Sequence, residues 1–340
     1  MALGDVGEAG LIKILSKDTI VTPAGVKIGI GDDAAALYVG EGKLLLAAVD
    51  MLLEGEHFLP LIPPAALGHK ALAVNLSDIA AMGGVARHAL VALGIPPAED
   101  VEDITAIYAG MKELAREYGV NIVGGDTVSS PRGRVVSVTV LGEVEPENLL
   151  LRSTAQVGDV IVVTGHLGKS RAGLALMERE KVPGLAAEHF RQAVKDHYYP
   201  QPRLREIRTL LKAGAIRAVN DISDGLARDL GEILADSGLG AELYPEDIPR
   251  SESTRAVAQA LGDDSLAYAL YGGEDFELLL TTDPGKVQTL LRCGQEEGIP
   301  LTIIGEVKAA AAGVSLCWRD GRRENLLPGG WDHFQRGEGK

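Results

Sequence analysis

Glycine beside a carboxylate is the pattern that most restricts this chain. It recurs at Gly31-Asp32-Asp33, Gly124-Gly125-Asp126, Asp224-Gly225 and Gly272-Gly273-Glu274-Asp275. Glycine lets a backbone turn sharply or approach a ligand closely, so such acids belong at the ends of strands and helices rather than inside them. The bias is general: glycine supplies 42 of 340 residues, whereas aromatic side chains make up 4%. Backbone turns, not stacked rings, dominate the chemistry available to this fold.

A chain of 340 residues is long enough for two domains of roughly 150 residues, each with its own core. Hydrophobic residues at 46% and charged residues at 24% are the balance of a folded globular protein. Thirty-three basic against 48 acidic side chains leave a net charge of −15, with no Lys/Arg block to neutralise a run of phosphates, which argues against nucleic acid. Small phosphate ligands stay open, because a divalent cation held by carboxylates can bridge a protein anion to a phosphate anion. Cys293 and Cys317 are the two cysteines. They form no CxxC, which excludes a disulfide framework or thiolate cage and fits a reducing cytoplasm. The opening MALGDVGEAGLIKIL has no basic segment leading an apolar core. No run of ~18 uncharged apolar residues follows, so neither export nor membrane insertion is expected.

Residues 26–37 and 43–50 read as short apolar strands with acids near their ends. After Pro63-Pro64, the segment AALGHKALAVNLSDIAAMGG is too continuously apolar for a surface helix and predicts a buried one that stops at Gly83-Gly84. A strand at 88–95 precedes an amphipathic helix near 99–118, with Val101, Ile104, Ile107, Met111 and Leu114 at helical spacing and a stop at Gly119. Strands at 120–124 and 134–143 flank a turn, GGDTVSSPRG, giving a ferredoxin-like β-α-β-β-α-β pattern over residues 1–145. The polar stretch 144–157 marks a boundary, and 146–340 reads as a second, mixed α/β sandwich, the whole being α+β. Its helices are expected near 170–180, 186–195, 201–213 and 225–237, and its strands near 241–244, 267–271, 276–281 and 301–307. Ala73-Val74-Asn75-Leu76-Ser77-Asp78 faintly echoes Ala218-Val219-Asn220-Asp221-Ile222-Ser223-Asp224, too briefly to establish a repeat.

Several motifs are decoys. Gly165-His166-Leu167-Gly168-Lys169-Ser170 looks like a phosphate loop, but Walker A spacing requires glycine where Val163 stands. Gly29-Ile30-Gly31-Asp32-Asp33-Ala34 formally matches GxGxxA, yet two carboxylates would repel a pyrophosphate without metal. The seven histidines form no HExxH or i, i+4 pair, and no GxSxG elbow occurs.

The carboxylates carry the stronger signal. Asp78 lies inside an apolar helix, where an unpaired charge requires a cation, a basic partner or a solvated cleft. A solvent-exposed last turn is the alternative. Asp221 and Asp224 bracket Ser223 before a helix, so a pair of N-caps is the bland reading, although one cap explains one Asp more easily than both. Asp32-Asp33, Asp50, Asp126-Thr127 and Glu274-Asp275 are each compatible with an ordinary strand end. Together they suit several hard divalent ions bound by oxygen, and magnesium shared with substrate phosphates points to nucleotide-dependent phosphoryl transfer.

In order along the whole chain, GIGDDAAAL, the VD of AAVD followed by EGEHF, KALAVNLSDIAAMGG, GGDT, DISDGLARDL, GGEDFELLLT and GGWDHF resemble the thiamine-monophosphate kinases. The wider superfamily includes the aminoimidazole ribonucleotide, formylglycinamidine ribonucleotide and selenophosphate synthetases and a hydrogenase-maturation protein. DISDGL, GGEDFEL and GGWDHF favour the kinase branch.

The resemblance implies ATP-dependent phosphorylation of thiamine monophosphate to thiamine diphosphate, with several Mg2+ ions between nucleotide and acceptor. By motif, Asp33, Asp50, Asp78, Asp126, Asp221 and Asp224 would be metal ligands, with Asp78, Asp126 and Asp224 central to catalysis. Gly125, Asp126, Arg152 and Ser223 would hold ATP, and His57, Glu274 and Trp331 would contact the thiamine moiety. It further implies a homodimer paired through the first domains, with ATP near the domain junction. An acceptor phosphate is already anionic, so no strong general base is required. Charge neutralisation and alignment then remain, with Arg152 as a direct phosphate partner. For a thiazolium cation Trp331 offers an aromatic face and Glu274 a charge, while a packing anchor is the other reading of Trp331. Two points stay open. Ala48-Val49 stand where the family commonly has hydroxyl residues, which leaves the number of ions unset, and Asp33 is chosen over Asp32 by motif alignment alone. The competing functions are a sister ATP-dependent synthetase and a non-catalytic nucleotide- or metal-binding protein. Neither an N-terminal reactive Cys nor a C-terminal one supports the selenophosphate or hydrogenase-maturation branch.

Overall fold

The computed structural model describes residues 25–334, apart from 41, 180, 181, 183 and 328, together with Ile12. The MALGDVGEAGLIKIL segment, Ile12 apart, and the last six residues therefore lie outside the described residues.

Six strands build the first sheet: β1 (Val26–Ile28), β2 (Ala35–Tyr38), β3 (Leu44–Leu53), β4 (Val85–Ile95), β5 (Asn121–Ser129) and β6 (Val135–Val144), in the order β1-β2-β3-β6-β4-β5. Helix α1 (Pro64–Ala81) separates β3 from β4, and α2 (Val101–Tyr118) separates β4 from β5. The element order is thus β-β-β-α-β-α-β-β, which corrects the expected ferredoxin-like β-α-β-β-α-β. The cause is directional: β4 and β5 run parallel, so a helix must carry the chain back between them. β6 then inserts antiparallel between β3 and β4.

The second sheet is also mixed. Along the chain come β7 (Val160–Thr164), α3 (Lys169–Met177), α4 (Ala187–Tyr198), α5 (Leu204–Leu210), β8 (Ile216–Asp221), α6 (Leu226–Ser237) and β9 (Leu239–Leu243). They are followed by α7 (Glu252–Leu261), α8 (Ser265–Tyr271), β10 (Leu278–Thr282), α9 (Val287–Glu296), β11 (Leu301–Ala309), β12 (Val314–Cys317) and β13 (Arg323–Asn325). Strand order is β13-β12-β9-β11-β7-β10-β8. Two α/β layers form, as the α+β class requires. Residues 267–271, expected as a strand, belong to α8, which the Asp264 side chain caps by accepting the Leu266 N–H at 2.8 Å. Short apolar runs do not distinguish strand from helix by pattern alone.

Helix α1 is the spine. Proline sits at its first position, where its missing N–H costs nothing. Fifteen of its 18 residues are buried, because it packs on β3 and β6 on one side and on β8, α4 and α5 on the other. Gly68 and Gly110 let α1 and α2 approach: a Cβ at Gly68 would stand 1.8 Å from the Ile107 carbonyl oxygen, and one at Gly110 would stand 1.9 Å from that of Ala65. The resulting core runs from Val138 and Val140 through Leu72, Leu76 and Ile79 to Val219, Leu278 and Leu280 without a break between the sheets. Each such fully buried aliphatic side chain contributes roughly 1.5–3 kcal/mol. Among the described residues, no helix is long and apolar enough to cross a membrane.

Candidate active site

A cleft of about 710 Å³ opens where the two layers meet. β3 and the loop after it supply Asp50, His57 and Phe58; α1 supplies Val74 and Asp78. From the second layer come Ser223, Asp224, Gly273 and Glu274, and the C-terminal segment folds back to add Trp331, His333 and Phe334. Seven of the residues singled out by sequence therefore face one cavity: Asp50, His57, Asp78, Ser223, Asp224, Glu274 and Trp331.

Below one end of the cleft the acids gather. Burial, and then the charges of Asp50, Asp221 and Asp33, push the Asp78 carboxyl well above the usual carboxylate range. Burial and the Asp221 charge do the same to Asp33, against the pull of Arg152. Burial raises Asp50, and pushes Asp221 up to about 6. One oxygen of Asp33, Oδ2, is buried with no hydrogen-bond partner. Asp33 thus faces the cluster, whereas Asp32 turns back to accept the Asp33 N–H at 3.0 Å and the Arg152 N–H at 3.3 Å. Among the described residues, no three His, Cys, Asp or Glu side chains converge closely enough to hold one ion by themselves.

Buried polar side chains of α1 fix two of these acids. The Asn75 carbonyl accepts the Asp50 N–H at 3.0 Å, and the Asn75 amide donates to the Ala71 carbonyl at 3.1 Å. Ser77 donates its hydroxyl to Asp221 across the two layers. Asp221 and Asp224 do not cap α6. Its N-cap is Gly225, and Asp229 accepts the Asp224 and Gly225 N–H groups at 3.2 and 3.0 Å, so Asp224 lines the cleft and Asp221 stays buried beside Ser77. The sequence echo ends here: Asn75 lies in a helix and Asn220 in a strand, where its amide donates to the Asp229 carbonyl at 3.2 Å.

Arg152 is engaged by acids rather than facing the cleft openly. It pairs with Glu232, donates to the Gly31 carbonyl at 2.6 Å, and lies 3.7 Å from Asp32, 3.9 Å from Asp33 and 3.6 Å from Asp236. Its buried Nε, which faces Asp32 and Asp236 at those distances, makes no hydrogen bond. The phosphate-loop decoy is filled from within: Asp275 accepts the N–H groups of Gly168, Lys169 and Ser170 at 2.5, 2.9 and 3.2 Å, taking the place an anion would occupy at the start of α3. Lys169 turns to Glu277 at 2.5 Å, which also receives Arg203 at 2.6 Å.

Glu274 marks the other end of the cleft. Its backbone is left-handed, φ 57°, as is that of Phe276 at 49°. Its carboxylate meets the Lys70 ammonium at 2.6 Å, the Ser170 hydroxyl at 3.3 Å and the His197 ring at 3.5 Å. Burial works to raise Glu274, but Lys70, His197 and His57 together outweigh it, Lys70 most of all, and hold the carboxyl below its usual value. Burial and Lys70 together push His197 down to about 3, so its ring is neutral. The Trp331 backbone is fixed by its N–H, which donates to the Asp224 carbonyl at 3.1 Å, and by its carbonyl, which accepts from Arg228; Arg228 also binds the Asp224 carboxylate at 3.0 Å. The His333 ring stands 4.9 Å from that of His57 and 5.7 Å from that of Trp331.

Gly125 and Asp126 are not brought into this cleft. The GGDTVSSPRG turn is displaced, because Gly124–Ser129 continue β5 in parallel register with β4. Asp126 lies opposite Ala92 on the sheet's exposed face, beside Met51 and Ser137. A Cβ at Gly125 would stand 1.7 Å from the Val91 carbonyl oxygen, so only glycine fits this ladder. Sequence reasoning missed Lys70, Asn75, Ser77, His197, His333 and Phe334. Lys70 had a usable signal: a lysine in a helix buried on most faces must have a partner.

Residues 31–144 match the AIR synthase related protein, N-terminal domain, and residues 156–316 match the AIR synthase related protein, C-terminal domain. Thiamine-monophosphate kinase of Bacillus subtilis (strain 168) is 37% identical over 311 residues, covering 91% of this chain and 94% of that protein. Thiamine-monophosphate kinase of Aquifex aeolicus (strain VF5) is 35% identical over 335 residues, covering 98% and 100%. The solved structure of AaThiL complexed with AMPPCP and TMP has a TM-score of 0.84 and 34% identity, covering 98% of this chain and 99% of that one. Hydrogenase maturation protein HypE in complex with ATP shares the fold, with a TM-score of 0.69 at 22% identity over 99% of this chain and 100% of that one.

Proposed function

We propose, because this chain belongs to the thiamine-monophosphate kinases of the AIR synthase related family, that it transfers the terminal phosphoryl group of ATP to the phosphate of thiamine monophosphate. The products are thiamine diphosphate and ADP, and the enzyme is a phosphotransferase with a phosphate acceptor. The observation that carries this reading is the single cleft in which Asp50, Asp78 and Asp224 meet His57, Glu274 and Trp331.

The donor set is all oxygen, crowded and short of positive charge, with the buried Asp33 Oδ2 unpartnered. It fits Mg2+, which keeps waters and shares phosphate oxygens and so needs few protein ligands per ion. Asp33, Asp50, Asp78, Asp221 and Asp224 would hold it. Bound there, magnesium supplies the positive charge that lets two polyanions approach and that disperses charge on the transferred group. The protein's own contribution is alignment. The acceptor oxygen is already an anion, so no side chain needs to remove a proton, and the neutral His197 is suited to shaping the site rather than serving as a base. Ser223 and Asp224 approach the phosphates from the second layer, while Trp331 and Glu274 receive the cationic ring. Arg152 would reach phosphate only by exchanging carboxylate partners for it, the role we assign it with ATP.

The division falls at 145/146, and Gly125 and Asp126 would serve nucleotide and metal from the exposed sheet face. That face carries Val49, Met51, Leu53, Leu90 and Val128 in the open, an apolar patch suited to a second copy of the chain. A cytoplasmic enzyme agrees with the unpaired Cys293 and Cys317. The test is parallel measurement of ADP and thiamine diphosphate from ATP and thiamine monophosphate, with and without Mg2+, beside Asp78→Asn. Equal, magnesium-dependent formation of both, lost in the variant, is expected. ADP without thiamine diphosphate would transfer the reading to another acceptor; ATP binding without turnover would leave a binding protein.

A further inference from the structure

We propose that Lys70 is a positioning residue for the acceptor, acting through Glu274; this rests on the reading above, in which Glu274 contacts the thiamine moiety. Lys70 is fully buried and does not line the cleft. Its ammonium meets Glu274 Oε1 at 2.6 Å and the His57 carbonyl at 3.4 Å. One cation therefore ties together the two loops, one from each layer, that present the proposed ring contacts.

Glu274 needs such a tie. It holds a left-handed backbone at φ 57°, a conformation that a residue with a side chain keeps only when its surroundings enforce it. Its N–H donates to the Ser223 carbonyl at 2.6 Å, so the strain lies beside the proposed phosphate site. The groups acting on its carboxylate are Lys70 from α1, Ser170 from α3, His197 from α4 and the His57 ring from the loop after β3. Ser170 also reaches the His197 ring Nδ1, at 2.8 Å. Serine and carboxylate thus compete for one ring nitrogen, which is no nucleophile relay. With the Ser170 hydroxyl neutral, Lys70 is the foremost group holding the carboxylate's charge, ahead of the His197 and His57 rings. Without it Glu274 would take up a proton or swing toward water, and in both cases the acceptor's cationic ring would lose a fixed anion.

Lys70→Met keeps the length of the side chain and removes its charge. Thiamine diphosphate formation is measured with each substrate varied, and folding is followed by circular dichroism. KM for thiamine monophosphate should rise about tenfold or more, with KM for ATP held within about twofold. A folded variant with both constants unmoved, or with both raised alike, overturns the proposal. The double-variant cycle tests the route: in a Glu274→Gln background, adding Lys70→Met should change KM for thiamine monophosphate by less than about twofold. A further tenfold rise in that background overturns it. This comparison also decides the matter should Lys70→Met alone fail to fold, because the doubly neutral pair leaves no unbalanced buried charge. Failure of the unmodified chain to make thiamine diphosphate overturns the kinase reading itself. A normal parent with an unmoved variant overturns only the role of Lys70.

Discussion

Asp221→Asn should make the metal-free protein more stable while destroying its activity. Asp221 is buried within a group of like charges, and burial raises its carboxyl from 3.8 to about 6. At ~1.4 kcal/mol per pKa unit, that rise of ~2 units is about 3 kcal/mol. The sign follows from proton binding: the folded state holds this proton more tightly than the unfolded chain. The contribution to stability is full below 3.8 and is lost as pH rises through about 6. At pH 7.5 the wild-type carboxylate opposes folding, and the amide removes that opposition while still accepting the Ser77 hydroxyl. An unfolding entropy of ~2.1 cal/mol/K per residue over 340 residues gives about 0.7 kcal/mol/K, so Tm should rise about 4 °C. At pH 5 about half of the gain should remain, because wild-type Asp221 is then largely protonated in the folded state. Thermal unfolding in EDTA at the two pH values reads this directly, and the same variant should lose roughly 100-fold or more of its magnesium-dependent turnover. An unchanged or lowered Tm at both pH values would refute the reasoning: the acids would then be compensated, with no stored repulsion for a cation to relieve.

Glu277→Gln should act in the opposite direction. Burial tends to raise Glu277, but Lys169 and Arg203 hold it from 4.5 down to about 2, worth about 3 kcal/mol. That contribution is present above 4.5 and lost as pH falls toward 2, so differential calorimetry near pH 7 should show Tm lower by about 4 °C. Trp331→Ala should raise KM for thiamine monophosphate roughly 3- to 30-fold, the range of one cation–π contact, and leave KM for ATP unmoved; equal changes in both would identify Trp331 as a packing anchor. Met51→Glu, on the exposed sheet face, should shift sedimentation toward the monomer, and a protein sedimenting as a monomer before mutation would remove the basis for a paired first layer.

What could be read from sequence was what local chemistry determines. The burial of α1 followed from its unbroken apolar run, and the stop of α2 at Gly119 followed from glycine, which takes φ 72° there. The acids beside glycine were visible because each needs a special backbone. What could not be read depends on distant partners. Gly124-Gly125 reads as a turn by composition, yet parallel pairing with β4 makes it a strand, and that pairing places Asp126 on the exposed sheet face, outside the lining of the cleft. Residues 267–271 read as a strand, yet they belong to a helix that Asp264 caps. The phosphate-like loop looked open because its occupant, Asp275, lies more than a hundred residues away in sequence. Trp331 was a candidate, but its path back over the cleft is set by Asp224 and Arg228.

The two ends of the site are linked through α1. Lys70, Val74 and Asp78 are spaced i, i+4, i+8 and therefore share a helix face. Val74 and Asp78 line the cleft and Lys70 reaches the Glu274 loop behind it. At 1.5 Å per residue the face separates its cation from its acid by about 12 Å. The same helix turns Asn75 toward Asp50 and Ser77 toward Asp221. A helix with fifteen of 18 residues buried between two sheets cannot shift one end without the other. The distance between acceptor-ring contacts and phosphate chemistry is then a property of one rigid element. This is how a chain of net charge −15 can align two polyanions: it holds acids where cations are wanted, and the one buried lysine of that helix where a carboxylate must be held still.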